Sequence, residues 1–193
     1  MQRGVGVLAL QGAVRAHLER IADCGQFGFR VRTREDLERC DALIIPGGES
    51  TTVSKLLDTS ELRTPLQRTL ADGLPVLGTC AGLILLAREV KDLARDGHPK
   101  TLGGLDVAAV RNAYGGQKES FEAPLDLGGG TLPLHGVFIR APRIVDVGPE
   151  VEVLARLDGD PVWIRQARRH GACFHPELTR DARVHERFLE DAL

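Results

Sequence analysis

Residues 75–87 read Pro-Val-Leu-Gly-Thr-Cys-Ala-Gly-Leu-Ile-Leu-Leu-Ala, and this stretch decides the fold. An apolar run, Pro75-Val-Leu77, enters Gly78-Thr-Cys80-Ala-Gly82, and a second apolar stretch at 83–87 follows at once. The layout is that of a strand turning sharply into a helix with a cysteine at the turn. Small residues on either side let the backbone fold tightly beneath that cysteine. A helix N-terminus there favours an anionic sulfur and offers free N–H groups to an oxyanion. Cys80 is thus a candidate thiolate nucleophile. The plainer alternative is a small buried cysteine beside two turn glycines.

Working outward, residues 5–10 form a short apolar run that ends at Gln11-Gly12. Ala13/Val14, His17/Leu18 and Ile21/Ala22 then recur at helical spacing. Residues 29–31 alternate as a strand, and 42–45 are a further apolar run stopped by Pro46-Gly-Gly48. Thr64-Pro65 offers a cap and a first-turn proline to a helix carrying Leu66 and Leu70. Strands that alternate with helices and are apolar on both faces predict a three-layer α/β fold, a mostly parallel sheet with helices on both sides. The texture changes after about residue 105. Short strand-like runs at 105–110, 136–139, 144–147, 151–157, 161–164 and 171–174 predict some antiparallel pairing. Thr179 is expected to cap a last helix that turns Val184, Phe188, Leu189 and Ala192 inward. Residues 95–99 read as an exposed loop. No repeat or long linker divides 1–193, so a single domain is expected.

Composition narrows the function classes. With 25 basic and 27 acidic residues the net charge is −2, which gives no footprint for nucleic acid or an anionic membrane. No apolar run approaches the roughly 18 residues that span a bilayer. The first twelve residues lack the cleavage site of a signal peptide and read as a strand. Cys24, Cys40, Cys80 and Cys173 are too widely spaced for a metal knuckle or a disulfide framework, so reduced thiols and a cytoplasmic location are expected.

Other residues could do chemistry with Cys80. Phe174-His175-Pro-Glu177 ends a predicted strand. A histidine near neutral pH serves a thiol both as base and as acid for the leaving group, and a nearby carboxylate can hold one tautomer. Taken alone, His-x-Glu is usually a solvated turn. His170 and His175 are five apart and His185-Glu186 lacks a second histidine, so no metal is expected. Pro46-Gly-Gly-Glu-Ser-Thr51 follows a strand, and its glycines allow close approach to a ligand. The same segment also reads as a turn with Ser50 or Thr51 capping the next helix. Arg111 and Arg140 each end a strand and could clamp a carboxylate, or be surface ion-pair members. Gln11 lies where open α/β sheets place ligands but could equally cap a helix. Cys24, Cys40 and Cys173 read as structural.

Together these stretches resemble the class I (triad-type) glutamine amidotransferases, and more narrowly the glutaminase subunits of pyridoxal 5′-phosphate synthase. The resemblance runs through LALQGAVRAH (8–17), ALIIPGGESTT (42–52), GTCAGLILLA (78–87), RNAYG (111–115), ESFEA (119–123), GVFIRAP (136–142) and CFHPELT (173–179). The elbow and His-Pro-Glu are shared across the superfamily, whereas LQGAV, PGGEST and VFIRAP select the subfamily. The resemblance implies a flavodoxin-like fold with Cys80 as nucleophile, His175 as base and acid, and Glu177 as the histidine's partner. It further implies glutamine binding by Gly48, Glu49, Ser50, Arg111, Ile139 and Arg140. An oxyanion hole would come from the backbone of Ala81 and the Gly47–Gly48 turn. Gly116 and Lys118 depart from the family pattern. No cofactor is implied. The implied partner is a (β/α)8-barrel synthase subunit that takes up the ammonia, organises the oxyanion hole and raises a low intrinsic activity. Two other readings use the same elbow: a glutaminase for a different synthase, and a cysteine peptidase or stress protein. A catalytically dead interaction module is a third.

Overall fold

Val5, Val7 and Leu8 of the first strand and all of residues 42–45 of the third are buried, although successive side chains in a strand point to opposite faces. Both faces of this sheet are therefore covered, as a parallel sheet with flanking helices requires. The computed structural model describes residues 2–91, 97, 99–115, 119–128 and 132–193. Its first half runs β1 (Gly4–Leu8), α1 (Val14–Asp23), β2 (Gly28–Val31), α2 (Arg34–Leu37), β3 (Cys40–Ile45), α3 (Ser50–Thr59), α4 (Arg63–Ala71), β4 (Val76–Thr79) and α5 (Ala81–Leu86). Then come β5 (Ala87–Val90), β6 (Leu105–Val110), β7 (Phe121–Leu125), β8 (Leu134–Phe138), β9 (Arg143–Val145), β10 (Glu152–Leu157), β11 (Asp160–Gln166), β12 (Arg169–Ala172) and α6 (Arg183–Ala192).

The seven-stranded sheet has the order β10-β11-β12-β4-β3-β1-β2. From β12 to β2 every pairing is parallel, and β10, β11 and β12 pair antiparallel. The expected α/β architecture, with antiparallel strands confined to the later half, is what the chain adopts. A three-stranded sheet, β5-β6-β9, and the hairpin β7-β8 complete the described strands. Among the described residues no helix is long and apolar enough to cross a membrane.

Several local expectations are corrected. The cap of α3 is Glu49, not Ser50 or Thr51: its carboxylate accepts from the N–H of Thr51 (3.3 Å) and of Thr52 (2.6 Å). Helix α4 begins at Arg63, ahead of the expected Thr64 cap. Thr179 does not cap α6, which starts at Arg183. The Thr179 hydroxyl instead accepts from Asp181 N–H, and Asp181 accepts from Arg183 N–H. The inward positions Val184, Phe188 and Leu189 are buried as expected. Helix α5 stops at Leu86, because Ala87 turns extended and opens β5. Strand β7 was not anticipated. Pro124 has no N–H to donate, which is tolerated because β7 pairs only with β8. Most of the expected loop at 95–99, together with Gly116 and Lys118, lies outside the described residues.

Candidate active site

Cys80 sits at φ 48°, a left-handed conformation that a side chain adopts only under strain of roughly 1–3 kcal/mol. Its neighbours hold it there. The Cys80 N–H donates to Ala172 O at the end of β12 (2.8 Å), and its carbonyl accepts from Ile84 N–H inside α5 (3.2 Å). Gly82 makes the tight turn possible, since a Cβ there would strike the Ile45 carbonyl of β3. The thiol is 5% exposed and its sulfur lies 3.8 Å from Ile139 O.

His175 leaves the end of β12 and is pinned by its own backbone, which donates to Val137 O of β8 (2.8 Å). Pro176–Leu178 form one 3-10 turn, and this turn swings Glu177 back beneath the imidazole. His175 Nδ1 and Glu177 Oε1 are 2.8 Å apart, and Glu177 is 4% exposed. Burial alone would lower the His175 pKa. The neighbouring Cys80 sulfur and the Glu177 carboxylate hydrogen-bonded to Nδ1 outweigh it and raise the pKa to about 10. Glu177 shows the converse balance: burial would raise its pKa, but His17 and His175 hold it low. Because burial also keeps His17 neutral, we attribute the low value chiefly to the His175 imidazolium.

A cleft of about 280 Å³ opens over Cys80 and His175. Gly47, Gly48, Glu49, Ser50, Arg111, Ile139 and Arg140 all border it. Glu177 and Ala81 do not; the first lies behind His175, and the second opens α5, where an N–H has no intrahelical acceptor. Gly12, Ala13, Ile84 and Asn112 also border the cleft; all four lie in stretches that carry the family resemblance, but the sequence assigned none of them a role. Arg111 donates to Thr51 Oγ1 (3.0 Å) and to Gly97 O (3.4 Å). Arg140, at φ 46°, is exposed at the mouth.

The Gly47–Gly48 turn needs a correction. Gly47 N–H donates to Thr79 Oγ1 (3.0 Å), so it is turned away from the cleft, and Gly48 N–H is the donor this turn has left. What Gly47 supplies is space: a Cβ there would collide with the His175 ring and approach Cys80 Cβ to 3.3 Å. Its carbonyl accepts from Ala13 N–H (3.1 Å), and Gln11 Oε1 accepts from Glu49 N–H (2.9 Å), so the first strand-helix loop braces this turn. The remaining cysteines form no disulfide, and burial pushes their thiols up.

The arrangement is a sulfur, an imidazole and a carboxylate in series beside an amino-acid-sized cleft, which suits acyl transfer through a thioester. Comparison with known proteins points the same way. Residues 7–193 match the SNO glutamine amidotransferase family. The chain is 54% identical over 187 residues to the pyridoxal 5′-phosphate synthase subunit PdxT of Pelotomaculum thermopropionicum, covering 96% of this chain and 93% of that one. It is 49% identical to the subunit of the same name from Mycobacterium sp. (strain KMS), covering 96% and 91%. A solved glutamine amidotransferase superposes with a TM-score of 0.88 at 46% identity, covering 97% of this chain and 98% of that one. This chain belongs to the SNO glutamine amidotransferase family.

Proposed function

We propose that the chain is the glutaminase subunit of a pyridoxal 5′-phosphate synthase, hydrolysing L-glutamine to glutamate and ammonia and delivering the ammonia to a (β/α)8-barrel synthase subunit. The observation that carries this reading is the Cys80–His175–Glu177 series facing a cleft that Arg111 and Arg140 border. The two arginines offer a glutamine α-carboxylate charge-assisted partners, leaving the side-chain amide to reach the sulfur. Cys80 attacks the amide carbon as thiolate. The N–H groups of Ala81 and Gly48 receive the oxyanion, each worth about 3–4 kcal/mol in systems where such donors have been removed.

His175 holds the proton that the departing amine needs, because its raised pKa keeps it an imidazolium at neutral pH. Having given up that proton, it removes one from water, and hydroxide cleaves the γ-glutamyl thioester to glutamate and free thiol. Glu177 on Nδ1 keeps Nε2 as the nitrogen directed at sulfur and leaving group. Ammonia released into water at neutral pH becomes ammonium, which is no nucleophile, so a docked acceptor subunit is needed to use it. The turn that carries the Gly48 donor is held by Thr79 of β4 and by the first strand-helix loop, and in this reading the docked partner aligns that donor, so a low resting activity rises on docking. Ammonia release from glutamine, measured with and without the barrel subunit, tests the reading: the mixture turns over faster, and equal rates would remove the regulatory part.

A further inference from the structure

Behind the triad, away from the cleft, four polar side chains are packed where an α/β core would ordinarily place leucine or valine. His17 of α1, Thr79 of β4, His185 of α6 and Glu177 are each at most 4% exposed. His17 Nδ1 is 2.9 Å from His185 Nε2, and His17 Nε2 is 3.2 Å from Thr79 Oγ1 and 3.4 Å from Glu177 Oε2. Glu177 Oε1 is already on His175, and Glu177 Oε2 has no hydrogen-bond partner within ordinary length.

We infer that His17, oriented by His185, is a positioning residue of the active site: its Nε2–H holds Glu177 Oε2 from behind and, through Thr79, steadies the Gly47 turn. Two tautomer arrangements are open to the histidine pair. If His17 carried its proton on Nδ1, its bare Nε2 would face the Glu177 carboxylate. His185 would then bear an Nδ1–H in a position with no acceptor. If both protons sit on Nε2, His185 donates to His17, and His17 donates towards Thr79 and Glu177. His185 Nδ1 is then left without a donor, and the Thr79 hydroxyl, whose oxygen takes the Gly47 N–H and the His17 N–H, keeps its own proton unpartnered. Each arrangement thus leaves one buried donor without an acceptor, and the carboxylate decides between them: an N–H facing Glu177 Oε2 is attractive where a lone pair is repulsive. The second arrangement is therefore the stable one.

Its consequences reach both halves of the site. A carboxylate with one oxygen unpartnered in a dry interior tends to rotate or take a proton, and either change weakens its hold on His175. The groups around Glu177 are His175 and Cys80 on the cleft side and His17 and His185 behind, with Arg20 adding positive charge near His185. Burial keeps both rear imidazoles neutral, so they act as dipoles of fixed direction, not as charges. Thr79 Oγ1 accepts the Gly47 N–H, so the same imidazole also touches the turn that presents Gly48.

The catalytic part of this inference rests on the proposed glutaminase reading; the tautomer and His175 parts do not. Nitrogen-15 histidine NMR on the full-length wild type reads the tautomers directly. Both His17 and His185 are expected as Nε2–H, and an Nδ1–H on His17 would overturn the inference. Removing the donor with His17→Leu is expected to lower the His175 pKa by about one unit or more, whereas His17→Gln, which can still present an Nε2–H, restores most of it. In the complex with its synthase subunit, His17→Leu should lower kcat about tenfold with KM little changed and displace the pH profile, and His17→Gln should recover most of that loss. A His175 titration and pH profile in His17→Leu that overlay wild type would refute the positioning role. If wild type hydrolysed no glutamine, the functional reading would fail while the NMR arms still decided the inference.

Discussion

His175 Nδ1 and Glu177 Oε1 lie 2.8 Å apart on a single 3-10 turn, so the proposed acid-base group and its carboxylate partner are set by three consecutive residues, not by two distant elements. The tertiary structure has only to bring this turn to Cys80, and the Cys80 N–H bonded to Ala172 O does so, because His175 lies just beyond the same strand.

Glu177→Gln removes the charge at nearly constant volume. The His175 pKa should fall from about 10, and turnover of saturating glutamine should drop by about 10² or more, since an amide can donate to Nδ1 and reverse the tautomer. Ammonia assays across pH check this. A variant within twofold of wild type would separate Glu177 from the mechanism.

Gly47→Ala places a methyl group against the His175 ring. Glutamine turnover is expected to fall at least a hundredfold, with a stability loss of about 1–3 kcal/mol from overpacking. Urea unfolding together with ammonia release distinguishes the two effects. Normal turnover would mean that the imidazole has room the geometry does not give it.

Arg140→Ala and Arg111→Ala take away candidate partners for the substrate carboxylate. KM for glutamine should rise about tenfold or more while kcat changes less, because this contact is made equally in ground and transition states. An unchanged KM in both variants would move the carboxylate site elsewhere.

Stability should peak near pH 6.5–7. Burial lowers His170 to about 4 and His185 to about 3, below the unfolded value of 6.5. Between pH 6.5 and 5 the unfolded chain therefore takes up protons that the folded chain refuses. Each histidine then removes on the order of 2 kcal/mol from stability over that interval. His175 behaves oppositely. Its folded pKa is raised, so its contribution is complete below 6.5 and disappears as pH climbs through about 10. Chemical denaturation at pH 5, 6.5 and 9 measures both limbs, and a flat profile from 6.5 to 5 would contradict the neutral buried histidines.

Much of the fold could be read along the chain because β1, β3 and β4 are buried on both faces and leave uninterrupted apolar runs. The elbow was readable for a local reason: Gly78, Cys80 and Gly82 meet steric demands within five residues. Caps were harder. Glu49, Ser50 and Thr51 are adjacent, and only the backbone direction at Glu49 decides which side chain reaches the helix N–H groups. Gly47 reads as a turn glycine, but nothing local says that its N–H points to Thr79. His17 and His185 stand 168 residues apart, each at a position of a helix stripe that leucine could fill, so their pairing emerges only when α1 and α6 meet. Pro124 hid β7, since a proline argues against a strand until its partnerless edge is known.

The most direct measurement is mass spectrometry of the acid-quenched complex of this chain with its synthase subunit during glutamine turnover. The account predicts a γ-glutamyl adduct on the peptide carrying Cys80, and neither adduct nor ammonia from Cys80→Ala. Ammonia release at the wild-type rate by Cys80→Ala, or an adduct on another residue, would contradict it.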